Sequence, residues 1–173
     1  MLAGLRAKYP HAEHPDIFPG QDGRDTAILT DMYITCFADQ MTRNHKATAR
    51  RYLFAAPGKF RNDTGLLKLL EPIAYHTLEL NYVFANMAGL PGTPISFALQ
   101  DRESDRVLTR AIQDYWVSFA QRHEPRSAFA GWPTVEQGRM LQFAEGGQPK
   151  LSSIDFRQDQ CTHIVSMFDK VWG

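Results

Sequence analysis

The chain has 173 residues, of which 43% are hydrophobic and 22% charged, which is ordinary for a soluble globular protein with one core. Its 19 lysine and arginine residues balance its 19 aspartate and glutamate residues, which argues against a nucleic-acid-binding or membrane-binding surface. The longest apolar runs are too short for a membrane span, and the N-terminal one is too short for a signal peptide. We therefore predict a soluble single domain, or a piece of a larger protein.

The first 44 residues predict an irregular lead-in followed by a helix. Residues 1–29 are rich in Pro, Gly, Asp and His and lack a sustained period, so we expect irregular structure with at most one short helix at the start. Thr30 and Asp31 are typical of an N-cap and a first-turn acid. Apolar residues follow at helical spacing, which predicts a helix from about 31 to 44.

The middle of the chain predicts a strand, a loop and a short helix. The segment RRYLFAAP (50–57) is short and aromatic and ends in Pro-Gly, as expected for a strand that enters a turn. GKFRNDTGLLKLLEP (58–72) predicts a loop with one helical turn. Apolar residues at helical spacing predict a short helix over Thr77 to Ala85. The prolines and glycines of GLPGTPISFALQ (89–100) exclude regular structure throughout that segment.

The part of the chain after residue 100 contains the clearest helical pattern. A helix over about 103–121 is predicted by apolar residues that fall on one broad face, namely Val107, Leu108, Ala111, Ile112, Tyr115, Trp116 and Phe119. RMLQFAEGGQPKLSSIDF (139–156) predicts two short strands joined at Gly146-Gly147. Residues from Cys161 to Trp172 predict a terminal amphipathic helix. Helices dominate and the strands are few, which is unusual for a complete α/β domain.

The two cysteines, Cys36 and Cys161, are 125 positions apart. Neither lies in a metal-ligand spacing, so no zinc site is predicted. Two unrelated buried thiols and one disulfide that closes a very long loop are both compatible with the sequence.

Three segments in succession resemble a known family. They are RRYLFAAP leading into AYHTLELNYVFAN, then YWVSFAQRHEP running into GWPTV, and finally QCTHIVSMFDKVW. Their order is similar to that in the C-terminal third of the type-B carboxylesterases, the group that includes cholinesterases and fungal lipases. The resemblance extends from about residue 24 to the end. It implies an α/β fold, namely the C-terminal part of an α/β-hydrolase with mainly helices and a few edge strands of the sheet.

The resemblance implies that His76 is the catalytic histidine of a serine esterase. An imidazole suits that role because its unperturbed pKa near 6.5 lets it take a proton from the nucleophile and pass it to the leaving alcohol. Its place also agrees with the order nucleophile, acid, histidine in α/β-hydrolases. Glu79 matches the neighbouring glutamate of the family, which supports the histidine and is not the triad acid.

The residues next to His76 are implied to line the substrate pocket, namely Tyr75, Thr77 and Leu78. The sequence departs from the family pattern here, because the family usually has Gly three residues before the histidine and a small residue after it. Ile73 and Thr77 stand at those positions. A bulkier loop displaces the imidazole, and a misplacement of about 1 Å can lower the rate about a hundredfold.

The resemblance also implies that Cys36 and Cys161 form a disulfide, as in many animal members of the family. A disulfide indicates that the protein is located in an oxidising compartment, and it indicates secretion if the parent protein is longer.

Most of the catalytic machinery of a serine esterase is absent from the sequence. The nucleophile of this fold sits in Gly-x-Ser-x-Gly, and no two glycines of this chain are four positions apart. The only Gly-Gly pair, Gly146-Gly147, follows the histidine and predicts a hairpin turn instead of an oxyanion loop. The resemblance places the triad acid upstream of residue 1. We therefore expect a chain that is inactive alone and that needs the missing N-terminal part of the fold to hydrolyse an ester.

Two other functions are compatible with the sequence. The first is a non-catalytic binding module, since some cholinesterase-like proteins serve adhesion. The second is a metal site at the segment HAEH, formed by His11 and His14 with Asp16, although its proline-rich context favours surface histidines. No cofactor and no metal are predicted.

Overall fold

The computed structural model describes residues 2–14, 22–61, 68, 70–71, 73–89 and 98–172. The chain divides into two compact units. We call Met1–Ala49 with Ile154–Gly173 the helical unit, and Arg50–Ser153 the sheet unit. That the whole chain is one incomplete domain remains a prediction.

The elements follow one another in an order that is mainly helical. They are α1 (Leu2–Arg6), a 3₁₀ turn (His11–Glu13), α2 (Gly23–Thr30), a π turn (Asp31–Thr35), α3 (Cys36–Asn44), β1 (Tyr52–Ala55), α4 (Glu79–Val83), α5 (Glu103–Arg122), a 3₁₀ turn (Val135–Gln137), β2 (Arg139–Ala144), β3 (Lys150–Ser153) and α6 (Gln158–Trp172).

The helical stretch before residue 44 begins earlier than predicted. The carboxylate of Asp22 accepts a hydrogen bond from the Arg24 backbone N–H at 3.0 Å and so caps α2. The prediction of Thr30 as the N-cap is wrong, because Thr30 lies inside the helical stretch and its hydroxyl donates to the Thr26 carbonyl at 2.9 Å. The π turn then joins α2 to α3 without ending the helical path.

The core of the helical unit is built around a disulfide. Its buried residues are Leu5, Tyr9, Ile28, Cys36, Cys161 and Ile164. The bond between Cys36 and Cys161 joins the first residue of α3 to α6, which confirms the pairing that the resemblance implied. Both cysteines are at most 4% exposed, so the bond lies within the apolar cluster.

A buried carboxylate lies beside this core. The Tyr9 hydroxyl donates to Asp31 Oδ2 at 2.8 Å, and Arg157 Nε lies 3.6 Å from the same oxygen. Burial, and after it the hydrogen bond to Asp31, raises the pKa of Tyr9. Asp31 is therefore buried with partners, as a charged group in an apolar setting requires.

The helices before residue 44 also present large apolar side chains to solvent. Those at least 49% exposed are Leu29, Tyr33, Ile34, Phe37 and Met41. No helix in the described ranges is long and apolar enough to cross a membrane.

The sheet unit contains a three-stranded sheet of order β1-β2-β3. β1 and β2 are parallel, with Tyr52 opposite Leu141, while β2 and β3 form an antiparallel hairpin. Gly146 and Gly147 turn the hairpin with φ of 99° and 82°, as the Gly-Gly pair predicted. A Cβ on Gly147 would also lie 2.7 Å from the Ser104 carbonyl oxygen, so no larger residue fits there.

Helix α5 packs its apolar face on this sheet and agrees with the predicted helix within one residue. Leu108, Ile112 and Tyr115 are buried in one cluster with Leu141 and Phe143 of β2. His123 ends the helix in the left-handed region and its N–H donates to the Phe119 carbonyl at 2.8 Å. The long, strongly periodic segment therefore folds as its pattern indicates.

Candidate active site

His76 lies in a tight turn that leads into α4. Its side chain is exposed, whereas Leu78 is fully buried. The Leu78 N–H donates to the Tyr75 carbonyl at 3.1 Å, which closes the turn around His76. The Tyr75 ring stacks on Phe60 with 6.0 Å between the ring centroids. The turn is thus anchored on both sides of the histidine, and the imidazole between the anchors faces outward.

Gly58 packs closely against the turn of His76. A Cβ on Gly58 would lie 3.1 Å from side-chain carbons of both Leu78 and Leu99. Gly58 follows the strand β1, and its lack of a side chain lets the turn of His76 pack closely against the segment that leaves the sheet. The Pro-Gly that the sequence predicted as the end of a strand therefore also contacts Leu78 of this turn.

Thr77, the residue after His76, has a strained backbone. Its φ is +76°, a value that β-branched residues adopt rarely. Such strain costs about 1–3 kcal/mol and is concentrated at active sites and ligand-binding loops. The residue after His76 is therefore a β-branched side chain held in a left-handed backbone conformation.

Replacing Thr77 with glycine is expected to relieve that strain. Both Thr77→Gly and Thr77→Ala remove the hydroxyl, but only glycine removes the Cβ that disfavours a left-handed backbone. We expect the glycine variant to have a free energy of unfolding about 1 kcal/mol higher than the alanine variant. Urea denaturation of the two proteins measures the difference. Equal stabilities would show that residue 77 is not held in the left-handed region.

Glu79 is the first residue of α4. It is half-buried, and no hydrogen bond or ion pair joins it to His76 within the described ranges. Burial, and after it the negative charge of Glu79, raises the pKa of Tyr52 at the start of β1. That Glu79 supports His76 remains a prediction.

A buried hydrogen-bond chain that the sequence analysis missed fixes α4 to α5. The Tyr82 hydroxyl donates to Asp105 Oδ1 at 3.0 Å, and Arg102 Nε donates to Asp105 Oδ2 at 2.7 Å. Burial, and after it the charge of Asp105, raises the pKa of Tyr82. The available signal was Arg102 three residues before Asp105 at the start of the best helix, a capping-box spacing. These hydrogen bonds hold α4, the helix that follows His76, in place.

His76 does not line the larger of two clefts in the described part of the chain. This cleft, of about 370 Å³ in the sheet unit, is lined by Ala85, Met87, Asp101, Glu103, Arg106, Thr109 and Arg110. Tyr75, Thr77 and Leu78 do not contribute to it, and Leu78 is in the core. That these three residues line a substrate pocket remains a prediction.

The segment HAEH does not show a metal site in the described part of the chain. His11 lies in the 3₁₀ turn and is exposed, and the His14 ring lies 5.5 Å from that of Tyr9. Burial, and after it the charge of Arg157, lowers the pKa of His14. Asp16 is outside the described residues. Among those described, no three His, Cys, Asp or Glu residues are grouped to hold a metal ion.

Solved structures identify the class of fold. The chain is similar to PNB esterase, with a TM-score of 0.61 and 19% identity over 95% of this chain and 33% of that one. It is similar to the carboxylesterase EST55 of Geobacillus stearothermophilus, with a TM-score of 0.60 and 18% identity over 92% and 31% of the two chains. It also matches an esterase from Clostridium hathewayi described as able to hydrolyse aliphatic aromatic polyesters, with a TM-score of 0.53 and 13% identity over 95% and 29%. The structure is therefore part of an α/β-hydrolase fold.

A family profile assigns the chain within that fold. The profile of the carboxylesterase family matches residues 20–162, and the chain belongs to this family. A search of curated proteins finds no match. The chain spans about a third of the length of the solved structures it matches.

Proposed function

We propose that this chain is the C-terminal portion of a carboxylesterase-type serine hydrolase and supplies the general-base histidine, His76. The observation that carries the proposal is the turn of residue 76, where an exposed imidazole lies between two anchored neighbours and precedes a strained residue. Membership of the carboxylesterase family supports the same role.

The chemistry assigned to His76 is proton transfer in two half-reactions. In the first, one imidazole nitrogen takes the proton of a serine hydroxyl as its oxygen attacks the ester carbonyl carbon, and then gives that proton to the departing alcohol. In the second, the imidazole takes a proton from water as the water oxygen attacks the acyl-enzyme, and returns it to the serine. Glu79 is assigned a supporting position near the histidine and takes no proton.

The proposal requires groups that this chain does not contribute. The serine, the oxyanion-hole N–H groups and the triad acid would come from the remaining two thirds of the fold. A histidine without a nucleophile forms no acyl-enzyme, and residual catalysis in enzymes that lack a triad member depends on the oxyanion hole and the binding pocket. We therefore propose that the chain alone does not hydrolyse esters.

The test compares the purified chain alone with the chain co-expressed with the part of PNB esterase that it does not match. With a p-nitrophenyl ester, we expect the isolated chain to release nitrophenol no faster than buffer and the combined preparation to turn over. A fluorophosphonate probe should label a serine only in the combined preparation. Labelling or turnover by the isolated chain would refute the proposal.

A further inference from the structure

The carboxylate of Glu71 joins the segment before His76 to the segment that follows β1. Glu71 Oε1 accepts a hydrogen bond from the Phe60 backbone N–H at 3.2 Å, and the Lys59 ammonium donates to Glu71 Oε2, also at 3.2 Å. Only 13% of the Glu71 side chain is exposed. A glutamate covered to this extent is normally paired, and here one of its partners is the backbone of a fully buried residue.

The two residues that Glu71 contacts are themselves held by a second segment. Phe60 pairs with Leu99 in an antiparallel bridge. The Gln100 backbone N–H donates to the Lys59 carbonyl at 2.8 Å, and the Gln100 side chain donates to the Phe60 carbonyl at 2.9 Å. Phe60 also belongs to the apolar core of the sheet unit. Lys59 and Phe60 therefore form a fixed support for the residues that pack on them.

The turn of His76 packs on this support through one ring. The rings of Tyr75 and Phe60 are stacked, with an angle of 25° between their planes. The Tyr75 carbonyl accepts the hydrogen bond from the Leu78 N–H that closes the turn. Because His76 lies between Tyr75 and Leu78, a displacement of the Phe60 ring is transmitted to the imidazole.

The acceptor oxygen of Glu71 matters more here than its charge. The Lys59 side chain is 42% exposed, and an ion pair that is open to water contributes little. The Phe60 N–H is buried, and removing an acceptor from a buried backbone donor is costly. An amide oxygen accepts a hydrogen bond as a carboxylate oxygen does, so glutamine can replace glutamate in this contact.

We propose that Glu71 is a positioning residue for His76. Its carboxylate oxygen fixes Phe60 and, through the stacked ring of Tyr75, sets where the imidazole lies. That this imidazole acts as a general base rests on the proposed function. Because a shift of about 1 Å in a catalytic group can lower a rate about a hundredfold, loss of the contact should lower kcat. Glu71 is assigned no contact with the substrate, so KM should change little.

Three variants separate the acceptor from the charge. Glu71→Gln keeps an oxygen for the Phe60 N–H, Glu71→Ala removes it, and Lys59→Met removes only the ion pair. Hydrogen exchange of the purified chain measures the Leu78 amide, which closes the turn. We expect this amide to exchange about tenfold faster in Glu71→Ala, and within about twofold of the wild type in the other two variants. The amides of β2 should keep their protection in all three.

Three outcomes of this experiment would overturn the inference. The first is an unchanged rate for the Leu78 amide in Glu71→Ala. The second is an equally fast rate in Glu71→Gln and Glu71→Ala, which would show that the charge matters and the acceptor does not. The third is an equal acceleration at Leu78 and throughout β2, which would show that Glu71 stabilises the whole sheet unit instead of the turn.

Activity separates this inference from the proposed function. In the preparation combined with the unmatched part of PNB esterase, Glu71→Ala should lower kcat about tenfold with KM within about twofold, and Glu71→Gln should keep at least about half of the wild-type kcat. If Glu71→Ala keeps the wild-type kcat while His76→Ala loses hydrolysis, the positioning role fails alone. If His76→Ala keeps hydrolysis, or the wild type shows none, the proposed function fails, and exchange at Leu78 decides whether Glu71 positions the turn.

Discussion

Replacing His76 with alanine in the complemented enzyme is expected to lower kcat/KM for a p-nitrophenyl ester by about four orders of magnitude or more. Without the imidazole no group is placed to take the serine proton in the transition state, whereas the pocket and the oxyanion hole remain. The loss should therefore appear mainly in kcat. Steady-state kinetics of the wild type and of His76→Ala, each purified together with the complementing part of PNB esterase, measure this loss of activity.

The control for this variant is another exposed histidine of the same chain. His45 follows the end of α3 and its side chain is exposed. His45→Ala should leave kcat/KM within about twofold of the wild type. Because His76 is exposed as well, neither substitution should change the free energy of unfolding by more than about 0.5 kcal/mol. A His76→Ala enzyme that retained a tenth of the activity would exclude a general-base role.

Removing the disulfide is expected to cost more stability than any other change considered. Cys36 and Cys161 are 125 residues apart, and closing a loop of that length stabilises the fold by about 4–5 kcal/mol in the chain-entropy model. Alanine at both positions avoids buried polar groups in the apolar cluster of the helical unit. We expect the double variant to lose about this amount of unfolding free energy in urea, and to lose it from the helical unit.

Reduction provides the matched control for that experiment. Dithiothreitol should destabilise the wild type toward the level of the double variant and should leave the double variant unchanged. Hydrogen exchange should show the faster opening in α3 and α6, while the amides of β2 keep their protection. A double variant within 1 kcal/mol of the wild type would show that the bond contributes little to stability.

The local patterns of the sequence were sufficient to predict α5, the β2–β3 hairpin and α6. Each depends on contacts or turn residues close together in the chain, such as the Gly-Gly pair at the hairpin and the apolar face of residues 107–119. The start of α2 was not predicted because the neighbouring Pro and Gly residues interrupt an already weak helical period of apolar residues. The cap at Asp22 is a single hydrogen bond that composition does not reveal.

The residues of the candidate site were proposed from the family resemblance, and their roles stay predictions. His76 and Glu79 were singled out by their resemblance to a family, and the pairing of Cys36 with Cys161 by the same means. The hydrogen bonds that join Tyr82, Asp105 and Arg102 were not predicted. Tyr82 and Asp105 are 23 residues apart, and nothing in their spacing indicates a contact.

The sequence by itself determined the helical content, the hairpin, the family resemblance and the absence of a nucleophile motif, because each is a property of neighbouring residues or of composition. Only the tertiary structure decided that β1 pairs in parallel with β2 and that Thr77 is held in the left-handed region. Those features depend on which distant surfaces bury each other. The free energy that holds a strained residue in place comes from that burial rather than from its neighbours in the chain.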